Sequence, residues 1–477
     1  MKTKQTLLIS LTALLFTSCD LVEPGNTINP NVDEEKFLNT PKAMQTWVNG
    51  AKATFATNLS EFIVRDEMIS DNYFNAYTRI SNTFDIPSLP YTDDEVEQMQ
   101  RCVGAIREAA AYGINTVAKH DATTTSADLF TLYTMHAYAD IMAGESFTAL
   151  PAESKGFVKP WQDHLVLALE MLEKAETLSD SNEDRAFVET LMARAYYKMG
   201  IKDKAVAAAR EALRLSPTLL RQVTFDGDNN VNNTLQSFIW GAMLQPLPRL
   251  DFLDPKYFKT SSTEERPINI AKAEEDYLIL AEAAVADGNL SEARTELTQL
   301  LALVKERPVK TGLMDDDDRN QGKTNAYPTG AGISVRASAD DPYRGGLVLD
   351  RSVAIAVPYI SGTSVTADMI NNATSADALL ETIYLMRQEI FFAEGRRTAD
   401  LGIRIPLCDV EFAALKENDA TGPKSGYKEY TEAVIPSYIP LDKGMDAFTW
   451  DKEAKTVTIN YNMNRILVEN HATAFAK

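Results

Sequence analysis

The chain has 477 residues, of which 45% are hydrophobic, with 68 acidic against 47 basic residues and a formal charge of -21. Acidity on this scale favours solubility and argues against nucleic-acid binding, which calls for a basic patch where this sequence has only scattered Lys and Arg. Three cysteines are too few for a disulfide framework, and a length that alone suggests about three domains meets no Pro/Gly/Ser linker to divide it.

The first eighteen residues read as a secretory signal peptide. Lys2 and Lys4 precede an apolar run from Leu7 to Phe16, which leads into Thr17-Ser18-Cys19. The run falls short of the roughly 20 apolar residues a bilayer requires, and its basic, apolar and small-residue regions come in export order. A Cys directly after small residues resembles the lipobox of bacterial lipoproteins, which marks Cys19 as the lipidation site and first mature residue. Loss of Lys2 and Lys4 makes the mature chain more acidic still. Residues 19–42, with Pro24, Gly25, Pro30 and several Asn, read as a flexible tether from the lipid. The body is expected over 43–477 as a single domain.

Asp71 to Tyr77 sets Asn72, Tyr73, Phe74 and Tyr77 close together, and Tyr91 follows in a Pro-bounded loop. Sugars are held by aromatic faces with amides and acids fixing their hydroxyls, so these residues are candidate ligand contacts. Helices are expected over Ala127 to Met142 and over 161–178, with Leu165, Leu169, Leu172 and Ala175 on one face. Next comes a hairpin near 187–217. Val188, Leu191, Met192, Ala195 and Met199 recur at helical spacing, Gly200 marks the turn, Ala205, Ala208, Ala209 and Ala212 line the return, and Pro217 closes it. Tyr196, Gly200, Ala205, Ala212 and Pro217 stand at tetratricopeptide spacing. A looser copy near 275–304 carries Tyr277, Leu280, Ala281 and Ala284, then Gly288, then Ala293, Leu297 and Leu300. Such hairpins bury their apolar faces only by stacking, so they read as scaffold.

Two long stretches, Thr218 to Ile270 and Lys310 to Thr374, are rich in Asn, Asp, Gly and Pro and read as irregular loops, of a length that is usually functional or disordered. They hold the further candidates Trp240 and Tyr327, with Tyr257, Tyr343 and Tyr359. Val457 and Ile459 alternate with polar residues, as in a short strand. The fold class is mainly α: tetratricopeptide-like hairpins forming a scaffold, with long irregular loops and little β.

No catalytic or metal motif stands out, and no cofactor is expected. His120, His136, His164 and His471 form no HExxH and no close pair, and His136 with Asp140 reads as one shared hydrogen bond. Asp315 to Asp318 would suit calcium only with the alternating acids, central Gly and terminal Glu that an EF-hand requires, so the run reads as a solvated loop. Cys102 and Cys408 read as core positions.

Residues 383–404 carry Arg387, Glu389, Glu394, Gly395, Arg397, Asp400, Leu401 and Arg404. This series resembles the motif of the SusD/RagB family of nutrient-binding outer-membrane lipoproteins, and Glu275 to Glu282 with Gly288 and Ala293 is similar to the family's helical segment there. The chain is one residue longer between Glu389 and Glu394, and Thr398-Ala399 stands where aromatics are common, so it would be a divergent member. The resemblance implies a surface lipoprotein that binds an oligosaccharide, or a peptide in some members, and delivers it to a SusC-like TonB-dependent transporter without being an enzyme. It implies a structural role for Arg387, Glu389, Glu394, Gly395, Arg397 and Asp400, the five charged residues among them forming ion pairs that fix a helix. Asp20 and Glu23 resemble signals that route such lipoproteins to the outer face. An exported hydrolase or assembly scaffold is the alternative, separated from capture by whether glycans or peptides are turned over.

Overall fold

The computed structural model describes residues 34–475 except 76–83, 85, 155, 242, 260, 262, 315–326 and 419–426. Cys19 and the signal peptide, most of the expected tether, Tyr77 and Asp315 to Asp318 lie outside the described residues.

Among the described residues nine helices carry the scaffold: α1 (Ala43–Ile69), α2 (Asp94–Tyr112), α3 (Ser126–Ser146), α4 (Trp161–Glu176), α5 (Asn182–Lys198), α6 (Lys202–Leu215), α7 (Ala273–Ala286), α8 (Leu290–Glu306) and α9 (Ala376–Ile390). They pack in sequence, α1 on α2, α3 on α4, α5 on α6 and α7 on α8, with α7 also touching α6 and α9. Local chemistry starts them where they start. Thr125 and Asp128 form a reciprocal capping box at α3, while Asp93, Ser181, Asn289 and Ser375 cap α2, α5, α8 and α9.

The two repeats share one turn geometry. The Ile201 N–H donates to the Tyr196 carbonyl and the Gly200 N–H to that of Tyr197; Asn289 and Gly288 do the same to Ala284 and Val285. Both glycines have φ near +70°, at +70° and +76°, which completes a Schellman cap in each hairpin. Ala205, Ala209, Ala281 and Ala293 are fully buried, so the backbones approach closely. Buried charge then ties one repeat to the other. Arg194 in α5 donates to both oxygens of Glu275 in α7 at 2.7–3.2 Å, and the Tyr197 hydroxyl donates to Glu282 at 2.6 Å. Burial alone would raise the Glu275 carboxyl, but Arg194 and Arg396 outweigh it and hold it well below the ordinary carboxylate range.

One contiguous buried cluster runs from Ala43 to Phe475, and a smaller one gathers Phe258, Leu313, Ile355 and Val357. Cys102 and Cys408 are buried free thiols. The body begins earlier than residue 43: Glu34–Leu38 is a helical turn, with the Phe37 ring 5.9 Å from Trp47. Phe37 and Leu38 supply the apolar side that a tether lacks.

The two stretches expected to be irregular hold short regular elements. Leu220–Val223 pairs with Ile268–Lys272, and Pro248–Tyr257 forms a ten-residue 3₁₀ helix that is buried almost throughout. Its polar residues do not face solvent as loop residues would: Asp251 accepts from both terminal nitrogens of Arg351 at 2.8 and 2.9 Å. The β structure that matters for the site is small. Strand β1 (Tyr73–Asn75) pairs antiparallel with β2 (Leu244–Pro246). A four-stranded sheet joins β3 (Ser334–Arg336), β4 (Arg344–Gly345), β5 (Phe448–Asp451) and β6 (Thr456–Ile459) in the order β5-β6-β3-β4, with β6 and β3 parallel.

Candidate functional site

The series near residue 390 builds a buried polar knot around the start of β1. Arg387, in α9, donates to both oxygens of Asp400 at 2.9 and 3.1 Å, and Lys198 from α5 donates to the same carboxylate at 2.7 Å. Burial would push the Asp400 carboxyl up; Arg387 and Lys198 overcome it and hold it far below its usual range. Glu394 accepts from Lys256, from Lys272 at 2.7 Å and from Asn269 at 2.7 Å. Glu389 differs from the rest: it makes no ion pair in this set but accepts from Thr363 Oγ1, Ser364 Oγ and the Ser364 N–H at 2.5–2.7 Å.

Five further bonds from this series reach the segment before β1. Arg397 grips both oxygens of Asp71 at 2.5 and 3.0 Å, and Gln388 donates to Asp71 at 2.9 Å and to Asn72 Oδ1 at 3.1 Å. Asn72 Nδ2 donates to Glu67 at 2.8 Å, and the Gly395 N–H donates to the other oxygen of Glu67 at 2.9 Å. Burial raises the Glu67 carboxyl to about 7 against the pull of those donors. Gly395 has φ +67°, and a Cβ there would sit 2.9 Å from Ile63 Cγ1, so the turn that delivers its N–H to Glu67 has room only for glycine.

This knot sets the register of β1, and alternation along the strand separates its side chains. Tyr73 points inward, fully buried and stacked on Phe392 at 4.8 Å and 24°. Phe74 points the other way and remains half-buried. Its ring lies 6.1 Å from Tyr327 and 6.1 Å from Phe448 of β5, and those two are 6.2 Å apart at 84°. Tyr327 is held from behind, its hydroxyl donating to the Pro246 carbonyl of β2 at 2.9 Å. Trp450, half-buried, is on the same face of β5 as Phe448, opposite Val457 where Phe448 is opposite Ile459. The result is an aromatic cluster between the β1–β2 ribbon and the edge of the four-stranded sheet, in which Tyr327 is buried at 3% exposure and Phe74, Phe448 and Trp450 are half-buried.

The sequence candidates therefore divide. Phe74 and Tyr327 come together, and Tyr77 lies outside the described residues. Asn72 and Tyr73 are enclosed, and as placed they shape the site from beneath. Trp240 sits in the smaller apolar cluster, edge-on to Phe258 at 4.9 Å, and Tyr91 is 37% exposed beside the start of Asp409–Asn418, its carbonyl accepting from the Asp409 N–H. Tyr257 is buried with its hydroxyl on the Ala393 carbonyl. Phe448 and Trp450 were not singled out from sequence, although their alternation with Thr449 ahead of Val457 and Ile459 has the period of a hairpin. His136 shares its hydrogen bond with Asp140 at 3.0 Å, and His164 approaches the same carboxylate at 3.2 Å. Among the described residues no cluster of three or more His, Cys, Asp or Glu is arranged to hold a metal ion.

No protein-family model matches the sequence, and no curated protein matches it. In three dimensions the chain is similar to NanU of B. fragilis, at 13% identity over 81% of this chain and 94% of that one, with a TM-score of 0.50. It is also similar to a SusD superfamily protein from Bacteroides fragilis (15% identity, 80% and 99% covered, TM-score 0.49). A third likeness is to a SusD-like carbohydrate binding protein from Bacteroides vulgatus (11% identity, 75% and 82% covered, TM-score 0.47). At these identities the likeness is one of fold, and the fold is the SusD-like one.

Proposed function

We propose that this SusD-like chain is a cell-surface lipoprotein, anchored through Cys19 in the outer membrane, that captures an oligosaccharide and passes it to a SusC-like TonB-dependent transporter. The observation that carries the reading is the aromatic cluster of Phe74 and Phe448, both half-buried, packed with the buried Tyr327. Oligosaccharides present broad C–H faces that stack on such rings, and rings fixed by two sheets lose little entropy on binding. The anchoring half of the proposal is supported by the Thr17-Ser18-Cys19 sequence and by the lack of any helix among the described residues long and apolar enough to cross a membrane. Two or more acyl chains on one cysteine suffice for stable attachment.

The test is calorimetric titration of the mature chain with a panel of neutral and acidic oligosaccharides and peptides, with reducing ends assayed in parallel. Saturable binding to a glycan, weakened at least about tenfold by Phe448→Ala and without new reducing ends, is expected. Turnover abolished by one carboxylate substitution would replace capture by catalysis, and binding to peptides alone would replace the glycan.

A further inference from the structure

A second feature lies at the other end of the four-stranded sheet, where β3 and β4 roof a cavity of about 170 Å³. Its floor is buried and includes Arg249, Val335, Leu347, Glu389 and Asn464; its mouth includes the half-buried Arg344, Ser364 and Met369 beside the exposed Pro342. A cavity of about 150 Å³ holds a benzene-sized molecule, so this one admits a single small ring.

The polar groups around it are satisfied with two exceptions. Glu389 is taken up by Thr363 and Ser364, Arg344 donates to the Ser364 carbonyl at 2.5 Å, and Asp341 and Glu381 are both engaged by Arg465. Arg249 is 7% exposed, yet it makes no hydrogen bond or ion pair with any described residue. Asn464 is 1% exposed; its Nδ2 donates to Gln388 Oε1 at 2.9 Å, while its Oδ1 is buried with no partner. An unpaired buried guanidinium is expensive, since it carries five donors and no means of losing its charge cheaply. Burial pushes Arg249 below its ordinary value even with Glu389 and Asp71 near enough to pull it up. A spare cation and a spare acceptor on the floor of one cavity define what would complete them: a planar oxyanion for the guanidinium and a neighbouring O–H for the amide oxygen. Val335, Leu347, Met369 and Leu385 supply apolar walls for the carbon skeleton between.

We propose that this cavity binds a hydroxylated carboxylate of the size of one sugar acid, with its carboxylate on Arg249 and a hydroxyl donating to Asn464 Oδ1. The inference stands on the cavity alone and does not depend on capture at the aromatic cluster or on a transporter. Cavity and cluster are nonetheless linked through Gln388, which bonds Asn464 on one side and Asp71 and Asn72 on the other.

The mature chain is titrated with sodium D-glucuronate, with D-glucose as the neutral counterpart and inorganic phosphate as the simple anion, by calorimetry and by melting temperature. Glucuronate is expected to bind and raise the melting temperature, and glucose at equal concentration to do neither. Arg249→Met is expected to weaken glucuronate binding at least about tenfold while melting no lower than wild type in its absence, because it removes a buried guanidinium that has no hydrogen-bond partner. Met369→Trp, which fills the cavity mouth and leaves Arg249 in place, is expected to abolish uptake even if the Arg249 variant fails to fold. Equal behaviour of glucuronate and glucose, preference for phosphate, or undiminished glucuronate binding by either variant overturns the proposal.

Discussion

Arg387→Met tests the reasoning about the buried knot at one bond pair. The Arg387 side chain is fully enclosed and that of Asp400 is 3% exposed, so the substitution leaves a carboxylate in the interior with only Lys198 facing it at 2.7 Å. Removing one partner of a buried pair costs about 3–5 kcal/mol. The surviving lysine places this case at the low end, about 3 kcal/mol, a large part of the roughly 5–15 kcal/mol that holds a domain folded. Urea denaturation followed by circular dichroism, at matched slopes, reads that loss at pH 7. The pH arm has a definite sign. Because the folded Asp400 carboxyl lies far below its unfolded value of about 3.9, its contribution is full above that pH and is lost as pH falls through the folded value. The gap between wild type and variant should therefore be constant from pH 7 to 5 and narrow below about 4. Arg387→Met with Asp400→Leu and Lys198→Met should recover most of the loss, since packed apolar groups then replace all three buried charges at little penalty. A single variant that loses less than about 1 kcal/mol, or a triple variant as unstable as the single, refutes the argument.

Other substitutions probe other parts of the account. Gly395→Ala forces a side chain into a left-handed backbone against Ile63 and should lower stability by about 1–2 kcal/mol from the backbone alone, read as a lower melting temperature. Ala209→Leu, which thickens α6 where it meets α5, should destabilise by about 1–3 kcal/mol in urea, whereas the same change at the exposed Ala207 should be nearly neutral. Burial, reinforced by Glu67, holds the Asp66 carboxyl well above its usual range, so the fold favours its protonated form and loses stability as pH rises from about 4 towards the folded value. Asp66→Asn should therefore gain on wild type between pH 5 and pH 8, and parallel pH–stability curves would contradict this. Tyr327→Phe deletes the hydroxyl bond to Pro246 but keeps the ring, so glycan affinity should change far less than in Tyr327→Ala when both are titrated.

Much of the scaffold was legible because its signals are local. Periodicity and small residues located α3 to α8, and Gly200 and Gly288 stand where the sequence placed the turns. The stretch around Pro248 to Tyr257 was not legible. Pro248, Pro255 and four charged residues in ten positions look like a solvated loop, and only long-range partners such as Arg351 for Asp251 and Glu394 for Lys256 make them interior. The candidate site shows the same limit. Tyr73 and Phe74 are alike in sequence, yet strand alternation buries one and presents the other, and which is which depends on Arg397 and Gln388 reaching Asp71 from more than three hundred residues away. Phe448 joins Phe74 only through a sheet order no local pattern encodes. Arg249 is the extreme case, since a lone arginine beside a proline carries no sequence signal of a cavity.

The capture-and-delivery account meets its most direct test in the native membrane. The lipidated chain, tagged at its C-terminus, is recovered from detergent-solubilised outer membrane, and its companions are identified and quantified by mass spectrometry. A SusC-like β-barrel at near equal amount, lost when Cys19→Ala releases the chain from the membrane, is the predicted result. A lipoprotein recovered without a barrel, from a membrane shown to contain the transporter, would contradict it.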